Sequence, residues 1–253
     1  MQASVLLLAM LMAVSAQAQT LRIAMEGQFP PFEEVDQNGQ LRGFNVDIAA
    51  ALCAQMKADC ELQRFAWDDL LPALQQQRTD LILASMSITE ERLQQVDFTQ
   101  KYAQTPAFFF ARKGSVNEVI ITPLRLQGKR VGVQRGTTYD RFLTARYERY
   151  LPVQRYDSAA DTYQALLDGE VELVLDDAVS GYFGFLQTER GKGFERVGNA
   201  VVAPKFFGKG QGIAVRKGDE ALRKRLNQAL LAILGNGVYR RIERQYFRRF
   251  SVY

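Results

Sequence analysis

Residues 73–83 read ALQQQRTDLIL, and residues 165–175 read ALLDGEVELVL. Each is the end of a helix, a short turn, an acidic residue and an apolar run of strand character. The repetition has two readings. One is chance, because αβ units share this grammar. The other is two similar α/β lobes in one chain. On either reading Ser85 and Asp177 stand at equivalent points, just past the carboxyl ends of their strands, where open α/β sheets take their ligands.

The alternation continues on both sides of these units. Residues 21–25 (LRIAM) read as a strand, and 45–56 carry a helical stripe of Val46, Ala49, Ala50, Cys53 and Met56. Asp68 or Asp69 is expected to cap a helix reaching 77, with Pro72 in or near its first turn. A strand over 81–85 and a short helix over 89–95 follow. The pattern then restarts with a strand at 130–133, and Gly136-Thr137-Thr138 turns into a helix. After a strand at 153–156, Ser158 and Asp161 resemble a capping box for a helix to 167 that Gly169 stops. Another strand covers 172–175. The tail, 220–247, reads as two helices broken near Gly235-Asn236-Gly237. Alternation of this kind implies parallel-type sheets covered by helices.

Composition excludes several functions. Hydrophobic residues make up 47% and charged residues 24% of 253 positions, ordinary for a globular chain and against disorder. The net charge is +4, with Arg240, Arg241, Arg244, Arg248 and Arg249 near the C-terminus. Acidic residues are interspersed and no nucleic-acid motif is present, so these arginines read as the solvated face of a helix. Histidine is absent, which removes the usual general base and the commonest metal ligand. Two cysteines do not make a structural zinc site. No cofactor or metal is expected.

Residues 1–18, MQASVLLLAMLMAVSAQA, hold an apolar run shorter than the about 20 residues a bilayer span needs. Ala16-Gln17-Ala18 fits small-x-small cleavage, so the segment reads as a secretory signal peptide with the mature chain starting at Gln19. No Lys or Arg precedes the run, and a retained N-terminal anchor is the alternative. Export places Cys53 and Cys60 in an oxidising space. Their spacing permits a disulfide if the chain reverses after Met56; two buried thiols are the other reading.

Four stretches carry a family resemblance: MEGQFPPFEEVDQNGQLRGFNVDIAAALC (25–53), SMSITEERLQQVDFTQKY (85–102), VGVQRGTTYD (131–140) and FFGKGQGIAVRKGD (206–219). Together they resemble, over the whole mature chain, the periplasmic solute-binding proteins of polar amino acid ABC transporters, and within them the lysine/arginine/ornithine-binding and opine-binding branch. The resemblance implies the two-lobed type II periplasmic binding fold, α/β throughout. Lobe 1 would comprise residues 19–105 and 206–253, and lobe 2 residues 106–205, with crossings near 104–107 and 201–207. It also implies a monomer that binds an amino acid between the lobes and docks on permease subunits in the inner membrane.

A free amino acid carries a carboxylate, an ammonium and a side chain, and a closed cleft must satisfy all three. By resemblance, Arg92, Ser87 and Thr137 meet the carboxylate, helped by the helix start at Thr137 and Thr138. A surface ion pair with Glu90 or Glu91 is the alternative for Arg92. Asp177 matches the amine-binding acid, with Ser85 nearby; a cap on the next helix is its other reading. Asp176 would face away if the strand persists. Glu26 stands where binders of basic amino acids carry an acid, and Phe29 and Trp67 match aromatic positions that sandwich the ligand's stem; ordinary core packing is the other reading for Trp67. Ala84-Ser85, Gln134 and Tyr139 depart from the lysine/arginine/ornithine pattern around the distal pocket and leave room for an opine. Two other functions stand as alternatives: a cyclohexadienyl dehydratase, against which the presence of both Arg92 and Asp177 argues, and a sensory binding protein, whose site would look the same.

Overall fold

The computed structural model describes residues 20–117, 120–248 and 250–253. The expected signal peptide lies outside the described residues, as does Arg249. Two five-stranded sheets organise the chain. In the first, the spatial order is Cys60–Arg64, Leu21–Met25, Leu81–Ile82, Ala214–Arg216 and Val96–Phe98. In the second it is Val153–Tyr156, Val131–Gln134, Leu173–Asp177, Ala107–Arg112 and Phe194–Val201. A three-stranded ribbon over residues 28–42 completes the first half.

Both sheets are mixed rather than purely parallel, which corrects the reading from alternation. Ala214–Arg216 runs antiparallel to both neighbours, and so does Ala107–Arg112. These two strands follow passages that arrive from the other sheet, with no covering helix to bring the chain back to its starting edge. A strand entering in that way runs against its neighbours.

Successive residues of the strands feed opposite cores. On one face of the first sheet Ile23, Met25, Leu81 and Leu83 pack with helices Phe44–Met56, Glu220–Gly235 and Val238–Phe247. On the other, Ala24, Ile82 and Ala214 meet Leu70 and Leu74 of helix Trp67–Gln75. In the second sheet Val131, Val133, Leu173 and Leu175 cover Phe142 and Leu143 of helix Thr138–Arg146. Val174, Phe108 and Phe110 cover Tyr163 and Leu166 of helix Ala159–Asp168. Each fully buried Leu or Phe contributes roughly 1.5–3 kcal/mol to holding these layers.

Local signals set most boundaries. Thr89, Thr137 and Ser158 each accept a hydrogen bond from a backbone N–H three residues on, starting their helices. Gly169 ends a helix at φ 76°. Helix Trp67–Gln75 starts at Ala66 without a side-chain cap, so Asp68 and Asp69 lie in its first turn, where they meet the positive end of the helix. The strand expected over 81–85 ends at Ile82, and Ser85 adopts φ 52°. After Asp177 comes a π-helix, Ser180–Leu186. Lys57, at φ 50°, reverses the chain after Met56, and Cys53 and Cys60 form a disulfide across that reversal. Arg240, Arg241, Arg244 and Arg248 are exposed, as a solvated terminal helix requires.

The chain passes between the sheets twice, from Phe98 to Ala107 and from Val201 to Ala214. The passages bond to one another: Tyr102 N–H donates to Gln211 O (2.8 Å), and Gln211 N–H to Ala103 O (2.7 Å). Among the described residues no helix is long and apolar enough to cross a membrane.

Candidate functional site

The carboxyl ends of the two parallel strand sets face one another across a narrow cleft. Glu26, Phe29, Trp67, Ser85, Ser87, Arg92, Thr137 and Thr138 all line it. Asp177 does not, and Asp176, Gln134, Tyr139, Ala84 and Gln211 do.

One end of the cleft is cationic. Arg92 lies in the first turn of the helix that Thr89 starts, and only 4% of it is exposed. Its Nη1 donates to Ser87 O (3.1 Å), and its guanidinium lies over the Trp67 ring at 5.3 Å. The surface-pair alternative does not hold: Glu91 pairs with Arg141, and Glu90 with Lys209 (3.4 Å). Among the described residues no carboxylate forms an ion pair with Arg92. Burial, and secondarily Arg141, pulls its pKa down to about 9, which leaves it charged at neutral pH. A buried guanidinium without an anion is an incomplete ion pair. Opposite it, Thr137 caps helix Thr138–Arg146, whose first N–H groups also favour an anion.

The other end is acidic. Glu26 follows strand Leu21–Met25 and is 4% exposed. Gln134 Nε2, from the other sheet, donates to its Oε1 at 2.6 Å. Glu33 lies directly behind: its Oε1 accepts the Glu26 N–H (2.9 Å), and its Oε2 accepts Asn45 Nδ2 (3.0 Å). Burial, then the Glu33 charge, pushes the Glu26 carboxyl up to about 8, and burial pushes Glu33 up to about 7. Asp176 is raised to about 7 by burial and by Asp177. Arg64 Nε donates to the Glu26 backbone O (3.2 Å), and its charge only partly offsets the raised pKa. Crowded carboxyl groups, none of which forms an ion pair among the described residues, favour a cation from outside.

Between the ends, Ser85 Oγ accepts from Asn45 Nδ2 (3.1 Å), while Ser85 N–H donates to Tyr102 Oη (3.0 Å). The Phe29 ring stacks on Phe32 at 5.4 Å. Asp177 is fully buried behind the wall. Its Oδ1 accepts the N–H groups of Val179 (2.8 Å) and Ser180 (3.1 Å), starting the π-helix. Its Oδ2 accepts the hydroxyls of Thr105 and Tyr139. Gln211 Nε2 donates to Thr105 Oγ1 (3.1 Å), and its buried Oε1 has no partner. Gln134 and Tyr139 stood out in the sequence as departures, and Asp176 as a residue expected to face away. Gln211 had no signal beyond its place in the return passage.

The two halves meet around the cleft. Besides Glu26–Gln134 and Glu91–Arg141, Ser180 Oγ donates to Pro30 O at 2.9 Å. A Cβ placed on Gly184 would lie 2.6 Å from Pro30 O.

The family described as bacterial extracellular solute-binding proteins, family 3, matches residues 21–249. The chain is 42% identical over 240 residues to an L-arginine-binding protein of Pseudomonas aeruginosa, covering 94% of this chain and 91% of that one. It is 31% identical to the lysine/arginine/ornithine-binding periplasmic protein of Escherichia coli, covering 100% and 99%. Among solved structures it resembles a Salmonella typhimurium periplasmic binding protein studied for high arginine specificity. That match has a TM-score of 0.83 and 31% identity and covers 91% of this chain and 100% of the other.

Proposed function

Because this chain belongs to the bacterial extracellular solute-binding proteins of family 3, we propose that it captures a basic amino acid, arginine foremost, between its lobes. The single observation that carries this is the charge layout of the cleft: an unpaired buried guanidinium at one end and a crowd of raised carboxyls at the other. That layout is the complement of a zwitterion with a second, distal cation. In this reading Arg92 takes the cargo's carboxylate through two parallel bonds, joined by Ser87, Thr137 and Thr138. Asp177 takes the ammonium when the Thr105 and Tyr139 hydroxyls turn aside, with Ser85 beside it. Glu26 pairs the side-chain cation, and Phe29 and Trp67 flank the stem. The names of the relatives support arginine as the leading cargo.

Function follows from closure. A ligand bonded to both lobes stabilises the closed arrangement over the open one by its differential contacts. The lobes are assigned as residues 19–105 with the C-terminal segment, and residues 106–205. Phe206 and Phe207, in the return passage, pack on Phe142 of the second lobe. The reading includes export through a cleaved signal peptide, a periplasmic location, a monomer, and delivery to the permease subunits of an ABC transporter. It includes no catalysis.

The test is calorimetric titration of the mature protein, unfolded and refolded to strip bound cargo, with arginine, lysine, ornithine, histidine, glutamine and glutamate. Tight binding of arginine or its relatives with no heat from glutamate is the expected result. Silence from all six, or preference for glutamate, overturns it.

A further inference from the structure

Building on that reading of the cleft, we infer that Asp176 is a second specificity-determining carboxylate. With Glu26 it grips the far end of the cargo, which is therefore a guanidinium group.

Strand register supplies the geometry. Val131–Gln134 and Leu173–Asp177 are parallel neighbours, with Val174 paired to Gly132. Two residues further along each strand, Asp176 and Gln134 fall on the same face of the sheet, because side chains alternate with a period of two. Gln134 donates to Glu26 across the cleft. Asp176, Gln134 and Glu26 thus gather at one end of the cavity, which all three line. Asp177, one residue on, belongs to the opposite face with Thr105 and Tyr139. The strand does persist through Asp177, and the face it turns to the cavity is that of Asp176.

Hydrogen bonding supplies the second, independent observation. Asp176 is 5% exposed, and its Oδ2 is buried without a hydrogen-bond partner. The Tyr163 hydroxyl is close enough to favour the ionised form slightly, yet no bond of ordinary geometry joins them. Glu26 has one oxygen engaged by Gln134, and among the described residues no donor reaches the other. Neither acid has an ion-pair partner among those residues. Two carboxylates that line one cavity, neither in an ion pair, call for a ligand that brings several donors and a charge. A guanidinium is planar, presents five N–H groups in a fixed fork and is weakly hydrated, whereas a primary ammonium is a compact, strongly hydrated charge. The former spans two acids at a lower desolvation cost.

Proton release accompanies this arrangement. The groups facing Asp176 are Asp177, Glu26, Tyr163 and Tyr139, none of them cationic; those facing Glu26 are Glu33, Asp176 and Arg64, whose positive charge is a smaller effect than burial and Glu33. In the empty cleft the acids hold protons near neutral pH; an entering guanidinium favours the carboxylates, and the protons pass to buffer.

The experiment compares wild type with Asp176→Asn, a near-isosteric change that relieves a like-charge contact with Asp177 and so leaves the fold intact. Arginine and citrulline are titrated calorimetrically in buffers of different protonation heat; citrulline keeps the shape of arginine and replaces the guanidinium by a neutral urea. Loss of a buried charge-assisted bond predicts about 10- to 100-fold weaker arginine binding. Citrulline should change less than about 3-fold, and the variant should release fewer protons per arginine bound. Asp176→Ser, which also lacks the charge, must show the same selective loss. Equal losses for both ligands would place Asp176 at the ammonium, and no loss for arginine would make it a structural residue; either result overturns the inference. If wild type binds arginine and only the variant pattern fails, the inference alone falls. If wild type binds no basic amino acid, the proposed function falls with it.

Discussion

Lowering the pH from about 8 to about 6 should weaken arginine binding, and Glu26→Gln should remove most of that dependence. Burial, with Glu33 and Asp176 adding their charges, raises the Glu26 carboxyl to about 8 in the empty cleft. A cationic side chain pairs only with the ionised form. The ionised fraction is roughly one half at pH 8 and roughly one in a hundred at pH 6, which corresponds to roughly a 50-fold loss of affinity from this group. The sign is set by linkage: the cargo's charge lowers the carboxyl pKa, so affinity is full above about pH 8 and is lost as pH falls. Asp176, raised to about 7, adds a smaller loss at the lower end. Trp67 is the only tryptophan in the chain and lines the cleft, so its fluorescence reports each titration. Glu26→Gln keeps the size of the side chain while removing its charge. It should bind arginine at least 10-fold more weakly than wild type at pH 8, with a shallower slope below. A wild-type affinity constant within about 3-fold between these pH values, or an unchanged slope in the variant, would refute the reasoning.

Three further outcomes follow from the same geometry. Arg92→Ala should weaken every amino acid tested by at least about 100-fold, because a buried ligand carboxylate would lose its only guanidinium; calorimetry against arginine and glutamine checks this. Gly184→Ala should weaken arginine about 10-fold or more with little change in unliganded stability, since its Cβ would meet Pro30 O at 2.6 Å only where the lobes close; small-angle scattering with saturating arginine should show a larger radius of gyration than wild type. The unliganded protein should melt at lower temperature at pH 8 than at pH 5. Glu26, Glu33 and Asp176 have folded pKa values of about 8, 7 and 7, above their unfolded values, so the stability they contribute is present at low pH and lost as pH rises through 7 to 8. Saturating arginine should shrink that difference, and melting curves at the two pH values with and without cargo decide it.

Most of the fold was legible because its signals are local. A Thr or Ser at a helix start, a glycine at a helix end and an apolar run between them need only their neighbours. Thr89, Thr137, Ser158 and Gly169 behave as their residue types dictate. The direction of Ala107–Arg112 and Ala214–Arg216 was not legible, since a strand's sense depends on which sheet the chain arrives from. The π-helix after Asp177 has no compositional signature.

The candidate site divides in the same way. The chemical types of its parts, a guanidinium after a capping threonine and an acid after the first strand, stand in the order of residues and need no coordinates to be read. Whether Arg92 is a surface charge or a buried one depends on Glu91 finding Arg141 in the other half of the chain and on Trp67 covering the guanidinium. Whether Asp176 or Asp177 faces the cavity depends on how two sheets meet at their carboxyl ends. Alternation along a strand assigns faces, but it does not say which face another lobe leaves open. Local periodicity is a property of consecutive residues. Burial, unpaired charge and the shape of a cleft are properties of segments that are distant in the chain, and they exist only once those segments pack.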